Sequence, residues 1–121
     1  MKVKKTLVLG ASDNPARYSY LAKNKLNAYG HPVVAVGRKQ TRVSNTDVLT
    51  GKPEQSDIDT VTLYLNPTNQ IPYYDYILSL KPRRIIFNPG TENPELEALA
   101  NQKGIDTLQA CTLVMLSTGQ Y

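Results

Sequence analysis

Lys5-Thr6-Leu7-Val8-Leu9-Gly10-Ala11-Ser12 is a short apolar run closed by a glycine and a serine. So short a run of branched apolar residues, bounded by a turn residue, reads as a buried strand from Lys5 to Leu9, with Gly10 permitting the tight turn off it. The period then changes. Tyr18, Leu21, Ala22, Leu26 and Tyr29 fall on one face at 3.6-residue spacing, which predicts a helix between Asn14 and Tyr29, stopped by Gly30. Two starts compete: Asn14 before Pro15, or Ser19, the second leaving Asp13 to Tyr18 as a loop over a ligand. Pro32 to Val36 is the next strand. Strand, helix and strand in this order make a βαβ unit and hence a parallel sheet.

The same alternation continues outward. Thr60 to Leu65, Arg84 to Phe87 and Ile105 to Leu108 read as further strands, and the connection from Gly37 to Asp59 has room for a short extra one at Asp47 to Leu49. After Asn66-Pro67-Thr68, the residues Ile71, Tyr74, Ile77 and Leu78 supply the apolar face of a helix reaching Leu80, with Pro72 tolerable only in its first turn. Asn93-Pro94-Glu95 is a strong helix start, with Leu96, Leu99 and Ala100 inward and Gly104 as the stop. Thr112 to Leu116 fits either a short helix or an edge strand. The expected fold is α/β: one three-layer, Rossmann-like, doubly wound parallel sheet of about five strands, spanning residues 1–121 as a single domain.

Composition narrows the function classes. With 40% hydrophobic and 20% charged residues, the chain reads as globular rather than disordered. No apolar stretch approaches the roughly 18 residues of a membrane span, and Met1-Lys2-Val3-Lys4-Lys5 leads into a strand without a signal-type apolar region, so a cytoplasmic location is expected. One cysteine, Cys111, and one histidine, His31, cannot make a closed zinc site, so no metal is expected. The formal charge of +4 is spread over small groups such as Lys81, Arg83 and Arg84 rather than the dense stripe that nucleic acid demands.

In an open parallel sheet the ligand lies outside the carboxyl ends of the strands, where the strand order reverses. Those ends carry Gly10-Ala11-Ser12, Gly37-Arg38-Lys39, Asn66-Pro67-Thr68, Asn88-Pro89-Gly90-Thr91 and Ala110-Cys111. Backbone N–H groups after Gly10 and the following helix dipole form a phosphate cradle, with Ser12 standing where a dinucleotide fingerprint has its second glycine. At the second strand a dinucleotide fold usually places an acid for the ribose hydroxyls; here Gly37, Arg38 and Lys39 favour a ribose with an extra phosphate, as in coenzyme A or NADP.

The order of these features resembles the coenzyme A-binding domain proteins, free-standing relatives of the nucleotide-binding domain of the succinyl-CoA synthetase α subunit. The resemblance covers nearly the whole chain: Leu9-Gly10-Ala11-Ser12 with Pro15, Arg17 and Ser19, then Gly37-Arg38-Lys39, Leu49-Thr50-Gly51, Asn66-Pro67, Asn88-Pro89-Gly90, and Cys111. It implies coenzyme A with its phosphates near Gly10, Ser12 and Arg17, its adenosine end near Arg38 and Lys39, and its pantetheine arm across the third and fourth strand ends. The chain departs from the family pattern at Val36-Gly37, where Asn-Pro is common, and at Gln109-Ala110, where Asp-Arg is frequent.

Cys111 is either a small packed hydrophobe or a thiol at the pantetheine end. His31 enters the second strand at the end opposite the site. Tyr73, Tyr74 and Tyr76 divide between core and surface, and as a surface cluster would serve dimerisation into a homo-oligomer. No catalytic constellation is evident, so the expectation is a binding, sensor or regulatory module for coenzyme A or an acyl-CoA, acting with a protein partner. The alternatives are an NADP-binding oxidoreductase domain and an interaction domain with a vestigial pocket.

Overall fold

A computed structural model describes residues 3–38, 41–43 and 46–121. Lys2 and Lys39 lie outside the described residues. The chain forms a seven-stranded sheet: β1 (Thr6–Ala11), β2 (Val33–Gly37), β3 (Thr41–Val43), β4 (Thr46–Leu49), β5 (Thr60–Leu63), β6 (Arg84–Phe87) and β7 (Asp106–Gln109), in the order β3-β4-β2-β1-β5-β6-β7. All neighbours pair in parallel except β3 with β4. The sheet is the expected Rossmann-like one, extended at one edge. β4 includes the Asp47 to Leu49 stretch, and the short β3 folds back on it as an antiparallel edge strand.

Among the described residues there are five α-helices, α1 (Tyr18–Ala28), α2 (Pro67–Gln70), α3 (Tyr74–Ser79), α4 (Pro94–Gln102) and α5 (Thr112–Ser117), four of which, all but α2, supply the core layers on the two faces. Alternation along the strands sorts the core into two layers. Leu7, Leu9, Val61, Leu63, Ile85 and Phe87 pack with Ile77 and Leu78 of α3 and Leu96 and Ala100 of α4, whereas Val8 and Ala35 pack with Leu26 of α1 and Leu116 of α5. The ambiguous tail is therefore a helix, closing the second layer.

Two helices differ from their sequence patterns. In α1 the buried face is Ser19, Ala22, Lys23 and Leu26, while Tyr18 is 71% and Leu21 42% exposed. Ala22 and Leu26 of the expected face are buried, whereas Tyr18, Leu21 and Tyr29 are not, and Ser19 and Lys23 take their place, so the buried stripe is rotated from the pattern of large apolar residues. Lys23 is 1% exposed and its ammonium lies 5.6 Å over the Tyr20 ring, an environment in which burial lowers its pKa. The helix expected to reach Leu80 is broken by a single 3-10 turn at Ile71–Tyr73, where Pro72 has no N–H to offer an α-helical ladder. Tyr73, Tyr74 and Tyr76 are half-buried, packed against the core beneath on one side and open on the other, and the Tyr76 hydroxyl donates to the Pro53 carbonyl. α4 follows its signal closely: the Asn93 side chain caps it by accepting from the Leu96 N–H at 3.2 Å.

At the amino ends of the strands His31 is 4% exposed; its Nδ1 accepts the Lys4 backbone N–H at 3.0 Å, and its ring lies 4.9 Å from that of Tyr121. Tyr121 is held there by the Thr6 hydroxyl and by the Arg84 guanidinium, 4.4 Å over its ring. Burial, then the charges of Lys4 and Arg84, lower the His31 pKa below its ordinary value of about 6.5. The folded state thus binds fewer protons than the unfolded one in this window. The stability involved is fully present above the unfolded pKa and is lost as pH falls below it, through the folded value. Urea unfolding of the wild type should show stability falling below about pH 6.5, and His31→Gln should flatten that part of the profile. A wild-type profile that stays level there would contradict the assignment.

Candidate functional site

The sheet order reverses at β1, which has β2 on one side and β5 on the other, and a cleft of about 530 Å³ opens at the carboxyl ends of these strands. That volume lies within the range of sites for nucleotide-sized ligands. The loop after β1 forms its first wall. Gly10 sits at an irregularity in the β1–β2 register with φ of +95°, and a Cβ there would come within 2.9 Å of the Tyr64 carbonyl carbon. Only glycine serves at this position. The loop then winds through local turns: the Ser12 Oγ accepts the Asn14 N–H at 3.0 Å, and the Asn14 Oδ1 accepts the Ala16 N–H at 2.9 Å. With its oxygen engaged as an acceptor, the Ser12 hydroxyl keeps its hydrogen for a ligand oxygen.

Neither expected cap starts α1. Asn14 serves the turn before the helix, Ser19 is inside it and buried, and the cap position belongs to Arg17, which makes no side-chain capping bond. No acidic residue occupies the first turn. A cation at the positive end of a helix dipole is unfavourable unless an anion joins them, and here the pair faces the cleft. The later start leaves a loop that ends at Arg17, one residue short of the Asp13 to Tyr18 loop expected with Ser19 as the cap.

Gly10, Ala11, Ser12, Arg17, Ser19, Arg38, Asn66, Pro89 and Gly90 all line the cleft. Of the other expected residues, Lys39 lies outside the described residues, and the rest are not among the cleft's lining. Gly37 is packed against β1, where a Cβ would fall 2.3 Å from the Ala11 carbonyl oxygen; its glycine answers a close backbone approach. Pro67 is the first residue of α2. Asn88 is buried and fully committed: Nδ2 donates to the Thr62 Oγ1 at 2.7 Å and the Leu63 carbonyl at 2.8 Å, and Oδ1 accepts the Thr112 N–H at 2.9 Å. It fastens the start of α5 to the end of β5. Cys111 is a half-buried free thiol at the cap of α5, outside the cleft walls.

Asp13 and Tyr18, from the loop the sequence offered, and Thr91, from the fourth strand end, also line the cleft, together with residues the sequence reading passed over: Thr41, Tyr64, Leu65 and Asn69. Tyr64 directly continues β5, and its hydroxyl is buried beside the Thr62 and Thr112 hydroxyls. Burial pushes its pKa up, so it is a neutral donor. The signal for Tyr64 was its place at a strand end beside Asn66. For Thr41 there was none, because β3 is too short to show a pattern.

These residues fit a phosphorylated nucleotide. The uncapped helix, Arg17, the Ser12 hydroxyl and the exposed Arg38 are all donors to anionic oxygen. The architecture defines a Rossmann-type α/β domain with its cleft at the switch point. A family model described as "CoA binding domain" matches residues 4–117, and the chain belongs to that family, whose ligand is coenzyme A. Among solved structures, one described as an uncharacterized protein is 50% identical, with a TM-score of 0.97 and all of both chains covered. A hypothetical protein from Pyrococcus horikoshii is 21% identical, with a TM-score of 0.87, covering 97% of this chain and 84% of its own. A protein from Thermus thermophilus is 20% identical at a TM-score of 0.83, covering 98% and 91%. The last two speak to the fold alone. No curated protein matches the chain. No described helix is long and apolar enough to cross a membrane.

Proposed function

We propose that the protein is a non-catalytic binding module for coenzyme A or an acyl-CoA, acting as a sensor, carrier or regulatory subunit. The observation that carries the reading is Arg17 at the uncapped start of α1, lining with Ser12 one cleft of ligand size. The diphosphate belongs against that turn, and the ribose phosphate against Arg38 at the end of β2. The non-catalytic part is supported by His31, which is occupied by Lys4 and Tyr121 at the far end of the sheet and cannot reach a ligand in the cleft. An NADP-binding domain is the second reading, favoured by the same Arg38, since NADP also carries an extra ribose phosphate.

Thermal unfolding with added ligand separates the two. A ligand that binds only the folded state at a hundred times its Kd adds about 2.7 kcal/mol of stability. Coenzyme A should raise the melting temperature more than NADP, and NADH should do least. A larger shift with NADP would reverse the ranking. The role of Arg38 is tested separately: Arg38→Ala should weaken coenzyme A by roughly tenfold and its form lacking the ribose 3′-phosphate hardly at all. Equal losses on the two ligands would mean that Arg38 does not hold that phosphate.

A further inference from the structure

Gln70 is 0% exposed, although it is a long polar side chain at the end of the short helix α2. Its Nε2 donates to two carbonyls, that of Leu65 at 2.9 Å and that of Thr91 at 2.8 Å, while its Oε1 accepts from the Asn93 Nδ2 at 2.8 Å. Leu65 belongs to the loop after β5 and Thr91 to the loop after β6, and both line the cleft. One amide therefore joins two separate loops of the cleft wall, using each of its hydrogens on a different loop. An apolar residue would fill the same space without the roughly 1–3 kcal/mol risk of an unmet buried polar group, so the bonds themselves are what the position needs.

We propose that Gln70 is a positioning residue that sets the spacing of the β5 and β6 loops, and thereby makes the cleft reward a ligand carrying a pantetheine arm. This rests on the coenzyme A reading, in which the arm crosses those two strand ends. The nucleotide half of the ligand lies instead against Ser12, Arg17 and Arg38, on loops that Gln70 does not touch. Its influence is thus confined to one half of the ligand, which a purely structural role would not be.

The test is calorimetric titration of the wild type, Gln70→Glu and Tyr74→Phe with coenzyme A and with adenosine 3′,5′-bisphosphate, which lacks the arm. A glutamate carries at most one donor hydrogen where Gln70 supplies two, so it cannot hold both carbonyls, and Gln70→Glu should weaken coenzyme A about tenfold and the bisphosphate less than about twofold. Tyr74→Phe removes the hydroxyl that accepts from Asn93 on the outer side of the same network. It leaves both Gln70 donors in place and should move neither Kd. Equal weakening of both ligands by Gln70→Glu, no change in either, or the same selective loss in Tyr74→Phe would overturn the inference. If Gln70→Glu does not fold, hydrogen exchange of the wild type decides: coenzyme A should protect residues 65–70 and 90–93 beyond what the bisphosphate gives, and equal protection would overturn it. A wild type that binds the bisphosphate but gains nothing from the arm refutes the coenzyme A reading, and this inference falls with it.

Discussion

Arg17→Asp should make the ligand-free protein more stable and its ligand affinity far worse. Aspartate is among the best residues at a helix cap, accepting the free N–H groups of the first turn and complementing the dipole, whereas Arg17 does neither. The gain should be about 1 kcal/mol, or roughly 3–6 °C in melting temperature for a domain of this size. Coenzyme A binding should fall by at least about a hundredfold, because one charge-assisted contact is lost and a carboxylate now faces the phosphates. The opposite signs matter more than the sizes. A destabilised variant would mean that Arg17 serves the fold, and an unchanged affinity would move the phosphates away from α1.

The second large effect concerns stability alone. Gly37→Ala should cost roughly 3 kcal/mol or more in urea unfolding, since the new Cβ would meet the Ala11 carbonyl oxygen at 2.3 Å and the Val48 Cγ1 at 3.0 Å. The methyl of Val48 can rotate aside, but the Ala11 carbonyl is backbone in the neighbouring strand. Relief requires β1 and β2 to separate beside the cleft. A cost below about 1 kcal/mol would show that the strands can slide apart cheaply there, and that the register between them is softer than its hydrogen bonds imply.

Gly37 also shows where reading the sequence stops. A glycine before two cations at a strand end looks like part of a nucleotide site, but close packing of two backbones and close approach of a ligand call for the same residue. Asn88 poses the same difficulty: a buried amide that secures a neighbouring helix and an amide that holds a ligand are spelled alike, and only its three partners distinguish them. Signals that act within a few residues were legible, such as the Asn93 cap of α4 and the need for glycine at position 10, although Gly10 answers a register irregularity inside β1 rather than a turn off its end. The buried side of α1 was legible only in Ala22 and Leu26, because contact with the rest of the fold turned Tyr18, Leu21 and Tyr29 outward and took in Ser19 and Lys23. Gln70 carried no signal at all. A polar residue in a broken helix says nothing of its carbonyl partners until the β5 and β6 loops are seen on either side of it.

The uncapped start of α1 has a consequence for how such a protein would behave in a cell. Local opening exposes a chain to proteases in proportion to how often it occurs, and a helix end lacking its counter-charge is where opening costs least. An anion seated against Arg17 raises that cost without any change of shape. Abundance of the protein would then follow the concentration of its nucleotide, with turnover as the readout.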